Sequence, residues 1–317
     1  MLSIILISYN TAELTLKALH SIYQETITPF RIIVVDNASS DDSVAQIKQN
    51  FPNITLIESS ANLGFAKGVN LAVKYVETDY ILLINPDTQV LDQAIDKLIT
   101  FSQENPSNGI WGGLTLNNDR SINSHNAWHD DNPRDLLFSA LGFSKLFAKS
   151  CFFNRHNYGC WQRNSIKTVD IIQGSFFLTT HKLWEKLGGF DDSFFMYGEE
   201  ADYCYRARQL NYQPIITPNA KIIHHGGASE RNISGKMIRL LTGKVTLINK
   251  HHKKPSKQCL MKQLLVFHVF NKMLLYHFSI LFSPSRKAIA KEWKTVFQKR
   301  KKWLNGYQDT HSNNKEC

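Results

Sequence analysis

The run Asp79-Tyr80-Ile81-Leu82-Leu83-Ile84-Asn85-Pro86-Asp87-Thr88 decides how the rest of the chain is read. Tyr80 to Ile84 is short and unbroken in its apolar character, the pattern of a strand buried on both faces of a mostly parallel sheet. Pro86 ends it, because proline cannot donate to a ladder and holds the preceding Asn85 extended. Asp87 therefore stands at the carboxyl end of a central strand, the edge at which open α/β sheets bind ligands. A carboxylate fixed there suits a hard divalent cation, which would in turn hold phosphate oxygens. The same residues also fit a simpler role, with Asp87 or Thr88 capping a helix that starts near Leu91.

Outward toward the N-terminus, Ile54–Ile57, Arg31–Val35 and Leu2–Ile7 read as three more short strands. Helical patterns lie between them, at Ala12–Gln24 with Thr11 as N-cap, and again from Ser43. A strand, a helix and a strand imply a parallel pair with a right-handed crossover, which sets Asp36 at the same edge as Ser8 and Asp87. An acid ending the second strand commonly takes a ribose hydroxyl or a base N–H. Asp41 reads better as a helix cap. Asn62-Leu63-Gly64 opens a helix to about Val76, and Gly64 suits either a tight turn close to a ligand or a plain loop. Neither Gly-x-Gly-x-x-Gly nor a Walker lysine is present, so dinucleotide-fold and P-loop chemistry lack support.

Toward the C-terminus, a helix is expected from Leu91 to Ser102 and a strand with a Trp-Gly-Gly kink from Gly109 to Leu116. Patterning weakens from Asn117 to Ser165, a region expected to lie over the active site and meet the acceptor. Strands resume at Val169–Ile172, Phe176–Thr179, Gln213–Ile216 and Ala220–His225. Between them, Gly188-Gly189 ends a helix and Glu199 opens another, in which Asp202 and Arg206 form an i,i+4 pair. Glu199 and Glu200 are left over from that structural account, and two acids there suit base catalysis. His224 reads either as a hydrogen-bonded loop residue or as a metal ligand at the rim of the site.

The 317 residues carry 43% apolar and 20% charged side chains, a globular composition with room for one large α/β domain or two smaller ones. Five cysteines with no Cys-x-x-Cys pair favour reduced thiols in a cytosolic setting. No signal peptide is evident, since Leu2–Ile7 is too short and lacks a basic leader. Charge is uneven: Lys236 to Trp303 holds 17 Lys/Arg against the single acid Glu292, while the whole chain is +10. A basic tail on an acidic body implies a polyanionic partner, either nucleic acid or an anionic membrane face. Leu260–Phe282 is apolar and aromatic but interrupted by Lys262, His268, Lys272 and His277, which argues against a spanning helix and for one lying in the interface.

In this order, Ser8-Tyr9-Asn10, Asp36-Asn37-x-Ser39-x-Asp41, Asn62-x-Gly64-Phe65-Ala66, Asn85-Pro86-Asp87-Thr88, Gly188 to Arg206 and His224-His225-Gly226-Gly227 resemble the bacterial family-2 glycosyltransferases. The likeness runs from Leu2 to Ser229 and is closest to the rhamnosyltransferase-like subgroup of cell-surface polysaccharide synthesis. It implies a GT-A (Rossmann-like) α/β fold: a mostly parallel central sheet with flanking helices, here followed by a basic helical extension. The implied division is 1–230 for the glycosyltransferase domain, with 1–117 its nucleotide-sugar half and 118–230 its acceptor half, and 231–317 for the extension.

By the same resemblance Ser8, Tyr9, Asn10, Asp36, Asn62, Gly64 and Asn85 bind the nucleotide-sugar, with Ser8-Tyr9-Asn10 and Asp36 on the base and ribose. Asn85 stands at the first position of the family's Asp-x-Asp motif, and the Asn-Pro-Asp variant is usual in the subgroup. Asp87 is then the metal-binding acid and His224 a further ligand, with Mg²⁺ or Mn²⁺ as the cation. Glu200 falls where the family's base sits, usually an aspartate, and Glu199 is the alternative.

The function implied is an inverting, metal-dependent transfer of a sugar, rhamnose being the subgroup's first suggestion, from a nucleotide-diphosphate donor to a glycan or lipid-linked acceptor. The expected location is cytoplasmic, peripheral on the inner face of the cell membrane. The rival readings are a nucleotidyltransferase, a non-catalytic nucleotide-binding protein and a nucleic-acid-binding protein using the tail. The first wants a glycine-rich loop with Arg and Lys after the first strand, and the second wants loss of Asp87 or Glu200. The third wants basic and aromatic residues on a recognition motif, which the body lacks, so no nucleic acid is expected.

Overall fold

Every residue of β1 (Leu2–Ser8) is buried, so its side chains must find partners on both faces of a sheet. The computed structural model, which describes residues 1–226 and 232–308, supplies those partners. Gly227, Ser229 and Cys317, used in the sequence reading, lie outside the described residues. After β1 come α1 (Ala12–Glu25), β2 (Phe30–Asp36), α2 (Ser43–Asn50), β3 (Thr55–Glu58), α3 (Gly64–Val73), β4 (Tyr80–Ile84), β5 (Thr88–Val90), α4 (Ala94–Glu104) and β6 (Ile110–Leu116). Next are β7 (Ala127–Trp128), α5 (Pro133–Ala140), α6 (Phe143–Leu146), β8 (Lys167–Thr168), β9 (Ile171–Ile172), β10 (Phe176–Thr180), α7 (His181–Leu187), α8 (Glu199–Gln209) and β11 (Ile215–His224). Four helices follow: α9 (Ile233–His251), α10 (Pro255–Ser279), α11 (Lys287–Gln298) and α12 (Arg300–Leu304).

The chain forms two compact units. The first comprises residues 1–128, 162–191 and 199–226, and the second 129–161, 192–198 and 232–308.

The first unit holds the central sheet, in the order β3-β2-β1-β4-β10-β6-β11-β5, with β8 also on β11. β3, β2, β1 and β4 are mutually parallel, and so are β6 and β11. β10 runs antiparallel between β4 and β6, and β5 antiparallel to β11. Alternate residues of β1 face alternate layers. Leu2, Ile4 and Leu6 join a core with Ala18, Leu19 and Ile22 of α1 and Ile95 and Leu98 of α4. On the other face α3 approaches so closely that a Cβ on Gly68 would lie 3.1 Å from Ile7 Cγ2. Phe177, Trp184, Phe190 and Tyr203 pack edge to face or tilted with one another, seating α7 and α8.

Several expected elements differ. The helix expected from Leu91 starts at Ala94, because Thr88–Val90 is drawn into a strand on β11; neither Asp87 nor Thr88 is a helix cap. The strands expected at Gln213–Ile216 and Ala220–His225 are one strand, with a register break between Ile216 and Lys221 where Pro218 cannot pair. Instead of kinking β6, Gly113 lets neighbours close in: a Cβ there would lie 2.4 Å from the Ala220 carbonyl. Thr11 precedes α1 without a side-chain cap, its hydroxyl being shared with Ser8 and Thr15.

In the second unit, α5, α9, α10, α11 and α12 share one core built on Leu136, Val245, Met261, Leu265, Trp293 and Trp303. Lys244 Nζ bonds both carboxylate oxygens of Asp131, at 2.9 and 2.6 Å, and His156 Nδ1 stands 3.6 Å away. The thiol expectation is corrected here: Cys151 and Cys160 form a disulfide, their Cα atoms 5.0 Å apart. Their spacing gave no pairing signal. They meet because the loop folds back at Gly159, where a Cβ would lie 2.6 Å from the Ser150 carbonyl.

Candidate active site

Parallel pairing brings the carboxyl ends of β1, β2 and β4 to one edge, with Ser8 registered opposite Asp36. Ser8 Oγ is fully buried and bonds the hydroxyls of Thr11 and Thr15, so it secures the start of α1. Tyr9, beside it, is exposed. Asn10 has a left-handed backbone (φ 53°) and ties the first loop to the second. Its N–H donates to Ser39 Oγ at 2.9 Å, and its Oδ1 accepts from Ser40 N–H at 2.7 Å. Asp41 accepts from the N–H groups of Ser43 and Ala12, so it serves the starts of both α2 and α1.

Asp36 is buried, and its Oδ2 accepts from Ser39 N–H at 2.9 Å. Its Oδ1 is buried with no hydrogen-bond partner. A buried acceptor left unpaired is costly, and a ligand hydroxyl or N–H would relieve that cost. Asn37, which the sequence motif includes without a role, holds the third loop. Its side-chain amide donates to the Gly64 carbonyl at 2.9 Å and accepts from Leu63 N–H at 3.3 Å. Asn62 Oδ1 accepts from Gly64 N–H at 2.9 Å, an Asx turn that sets Gly64 at φ 78°. Gly64 thus needs to be glycine for its backbone angle.

The β5–β11 pairing sets His224 opposite Thr88 and so beside Asp87. His224 Nε2 lies 3.1 Å from Asp87 Oδ1 and 3.4 Å from Asn85 Nδ2. Thr88 Oγ1 donates to the Asn85 carbonyl at 2.7 Å, and His225 N–H to the Asp87 carbonyl at 2.9 Å, fixing the turn around Pro86. Burial works against the charged form of Asp87, but the hydrogen bond and charge of His224 outweigh it, holding the carboxyl below its ordinary range. Asp87 is therefore held in its ionised form.

Among the described residues no three His, Cys, Asp or Glu side chains gather as a metal cage. One carboxylate and one imidazole still fit Mg²⁺ or Mn²⁺, because such ions commonly take their remaining ligands from substrate phosphates and water.

α8 brings the acids Glu199 and Glu200, both buried, to the same unit. A Cβ built on Gly174 would lie 4.0 Å from Glu200 Cβ and 3.6 Å from the ring of Phe65, the residue after Gly64. Glu200 is thereby near the loop at the start of α3. Asp202, fully buried, bonds Arg206 Nε at 2.7 Å, and that guanidinium also donates to the carbonyls of Leu187 and Gly189 at the end of α7. Asn70, missed from sequence, accepts from Phe190 N–H and donates to its carbonyl at 3.0 and 2.8 Å, tying α3 to the same turn. The sequence marks Asn37 by its place after Asp36 in the Asp36-Asn37-x-Ser39-x-Asp41 motif, and Asn70 by following Gly64 and Gly68 on α3.

The family model described as glycosyl transferase family 2 matches residues 3–205. The chain is 25% identical over 240 residues to the N-acetylglucosaminyl-diphospho-decaprenol L-rhamnosyltransferase of Mycobacterium tuberculosis, covering 71% of this chain and 76% of that one. It is 28% identical over 251 residues to the rhamnosyltransferase WbbL of Escherichia coli, covering 75% and 89%. The mannosyltransferase PcManGT of Pyrobaculum calidifontis, solved in complex with GDP-Man and Mn²⁺, shares the fold with a TM-score of 0.57. It is 18% identical, over 96% of this chain and 84% of its own. The expected GT-A fold is thus the fold observed. Because the family match spans more than half of the chain, the chain belongs to glycosyl transferase family 2 and is a glycosyltransferase.

Proposed function

We propose that the enzyme is an inverting, divalent-metal-assisted hexosyltransferase that extends a glycan or lipid-linked acceptor in cell-surface polysaccharide synthesis. The observation that carries this reading is the Asp87–His224 pair, 3.1 Å apart at the carboxyl edge of the sheet that also holds Asp36. Asp36 would take the base or ribose, while Tyr9, Asn10, Asn62 and Gly64 shape the rest of the nucleotide site. Asp87 and His224, with Asn85 beside them, would hold the cation. When bound, that cation neutralises the leaving diphosphate as a Lewis acid. Glu200, with Glu199 as its alternative, would accept the proton of the acceptor hydroxyl. The acceptor oxygen then bonds the anomeric carbon as the bond to the diphosphate oxygen breaks, its electron pair leaving with the nucleoside diphosphate. Attack from the face opposite the leaving group inverts the anomeric centre.

The names of the M. tuberculosis and E. coli relatives favour rhamnose as the sugar, and the first also favours a polyprenyl-diphosphate-linked acceptor. Thermal shift of the purified protein with Mn²⁺ and dTDP-rhamnose, UDP-glucose, UDP-N-acetylglucosamine or GDP-mannose tests the donor. We expect one donor to stabilise the protein, and to do so only with the metal. No stabilisation by any of them overturns the reading.

The second unit supports a peripheral place on the cytoplasmic face of a membrane, with an anionic bilayer as the partner of its basic helices. No described helix is long and apolar enough to cross a membrane. Met261, Leu265 and Val269 of α10 are buried at four-residue spacing in the core of the second unit. On the opposite side of the helix Leu260, Phe267, Phe270 and Phe278 are exposed, and the stripe continues to Leu281 and Phe282, 78% and 89% exposed. α5 packs against α10, Asn271 Nδ2 donating to the Ala140 carbonyl at 3.0 Å. The segment from α5 onward adds exposed Leu141, Leu146, Phe147 and Phe152 beside Lys145 and Lys149. Apolar side chains flanked by lysines suit an anionic interface, where burial and charge attraction act together.

A further inference from the structure

We infer that Gln173, Ser175 and Asn126 bind hydroxyls of the transferred sugar and select a neutral hexose over a uronic acid. The inference rests on reading Asp87 as the metal-binding acid and Glu200 as the base. β10 runs antiparallel to β4, with Phe176 opposite Ile84. An antiparallel neighbour brings its amino end to the edge where β4 delivers its carboxyl end. Gln173-Gly174-Ser175, which lead into β10, therefore lie at the edge that carries Asn85 and Asp87. The same segment also meets α8 and α3. A Cβ built on Gly174 would lie 4.0 Å from Glu200 Cβ and 3.6 Å from the Phe65 ring. In an inverting transfer the sugar lies between the departing diphosphate and the base on its opposite face. A segment that runs from Asn85 to Glu200 thus passes along the sugar.

Three buried polar atoms on and beside this segment have no hydrogen-bond partner: Gln173 Oε1, Ser175 Oγ and Asn126 Nδ2. Ser175 and Asn126 are each 1% exposed. Asn126 is held beside the segment by its backbone. Its carbonyl accepts from Gln173 N–H at 3.1 Å, and the next residue, Ala127, pairs with Ile172. Its side chain is oriented by Arg163, whose Nε donates to Asn126 Oδ1 at 3.0 Å while Nη2 donates to the Ser124 carbonyl at 2.6 Å. A guanidinium can only donate, so the amide oxygen faces it and the NH₂ group is left as a donor. Gln173 Oε1 accepts, and the Ser175 hydroxyl can do either. Buried polar groups are nearly always paired, and unpaired ones are costly until a ligand supplies partners. Sugar hydroxyls donate and accept at once, so a mixed set of neutral donors and acceptors matches them. A carboxylate in their place would face the unpaired Gln173 oxygen and the acid of Glu200, a poor setting for a second negative charge.

The test is steady-state kinetics of the full-length protein with Mn²⁺, following nucleoside diphosphate release from dTDP-rhamnose, UDP-glucose, UDP-N-acetylglucosamine, GDP-mannose or UDP-glucuronic acid. Calorimetric titration with the free nucleoside diphosphate accompanies it. One of the four neutral donors should turn over, and UDP-glucuronic acid should not. Gln173→Met and Ser175→Ala should each lower kcat/KM for that donor roughly tenfold, the size of one lost hydrogen bond. Both variants should bind the free nucleoside diphosphate as tightly as the wild type. Asn126→Asp keeps the acceptor for Arg163, removes the donor and should act in the same way. With the deoxy analogue of the donor that lacks the matching hydroxyl, Ser175→Ala should have no further effect. Wild-type kcat/KM in all three variants overturns the inference, as does preferential turnover of UDP-glucuronic acid. A loss shared equally by the donor and the free nucleoside diphosphate, with a fall in Tm, makes the three residues structural and overturns it as well. If the wild type binds no nucleoside diphosphate, the donor reading itself is wrong, and the sugar contacts fall with it.

Discussion

His224 Nε2 sits 3.1 Å from Asp87 Oδ1, although the two residues come from distant parts of the chain. Their meeting depends on three registered residue pairs between β5 and β11, ending at His224 opposite Thr88. The electrostatics around Asp87 are thus set by a strand pairing.

Asp87→Asn preserves the size of the side chain and removes its charge. Nucleotide-sugar binding in the presence of Mn²⁺ should be lost, and transfer should fall on the order of 10²–10³-fold, as expected when several kcal/mol of charge stabilisation disappear. Chelation of wild-type protein with EDTA should reproduce the effect, and circular dichroism should show the fold unchanged. Full transfer in EDTA would exclude the cation from the mechanism.

Glu200→Gln should lower turnover by roughly 10²–10⁴-fold with donor affinity nearly unchanged, the signature of losing general-base help. Calorimetric titration of the donor alongside single-turnover rates separates the two quantities. If Glu199→Gln shows this signature and Glu200→Gln does not, the base is the neighbouring residue.

Acid sensitivity should arise in the second unit. Burial pushes His156 down to about 4, against the opposing attraction of Asp131, while Lys244 and His129 push the same way as burial. Burial also pushes His268 down to about 4, helped by Lys272. A histidine whose folded pKa lies below its unfolded value of about 6.5 takes its proton first in the unfolded chain. Its contribution is therefore complete above pH 6.5 and is lost between there and pH 4, at up to about 1.4 kcal/mol per pH unit for each histidine. Tm should drop from pH 7 to pH 5, and His156→Gln should shrink that drop. An undiminished drop in the variant assigns the pH dependence to other groups.

Full-length protein should co-sediment with phosphatidylglycerol-containing vesicles, less so at high salt and little with neutral vesicles. Replacing Phe278, Leu281 and Phe282 together with serine should weaken sedimentation without moving Tm, because all three are exposed. Equal sedimentation of the variant would remove the bilayer from the role assigned to α10.

The parts of the fold that were readable in sequence are those with local causes. Tyr80–Ile84 is found as read, because an unbroken apolar run ended by proline leaves few alternatives. Glu199 opens α8 as read, after Gly198 and with acids in its first turn. Asp36 and His224 end β2 and β11, and Asp87 follows β4, at the strand ends where they were expected. What escaped depended on distant partners. Thr88–Val90 is a strand only because β11 lies alongside. Cys151 and Cys160 pair only because a turn-rich loop folds back on itself. The sequence pattern of Leu260–Phe282 did not reveal that one side of α10 is committed to a core built from α5, α9 and α11. Gly243 is poor helix-forming chemistry in sequence and becomes meaningful only beside the Tyr197 carbonyl.

The hydrogen bond from Tyr307 to Met196 spans 111 positions of chain, and this separation sets an order of events during synthesis. A ribosome adding about 5–20 residues per second needs roughly 5–20 s after Met196 before Tyr307 exists. For most of that interval the nascent chain already contains Asp36, Asp87, Glu199 and Glu200 and lacks the tyrosine that bonds Met196. The turn at Met196 is therefore completed only with the last helices, and an unfinished or C-terminally clipped polypeptide lacks the hydrogen bond that holds it.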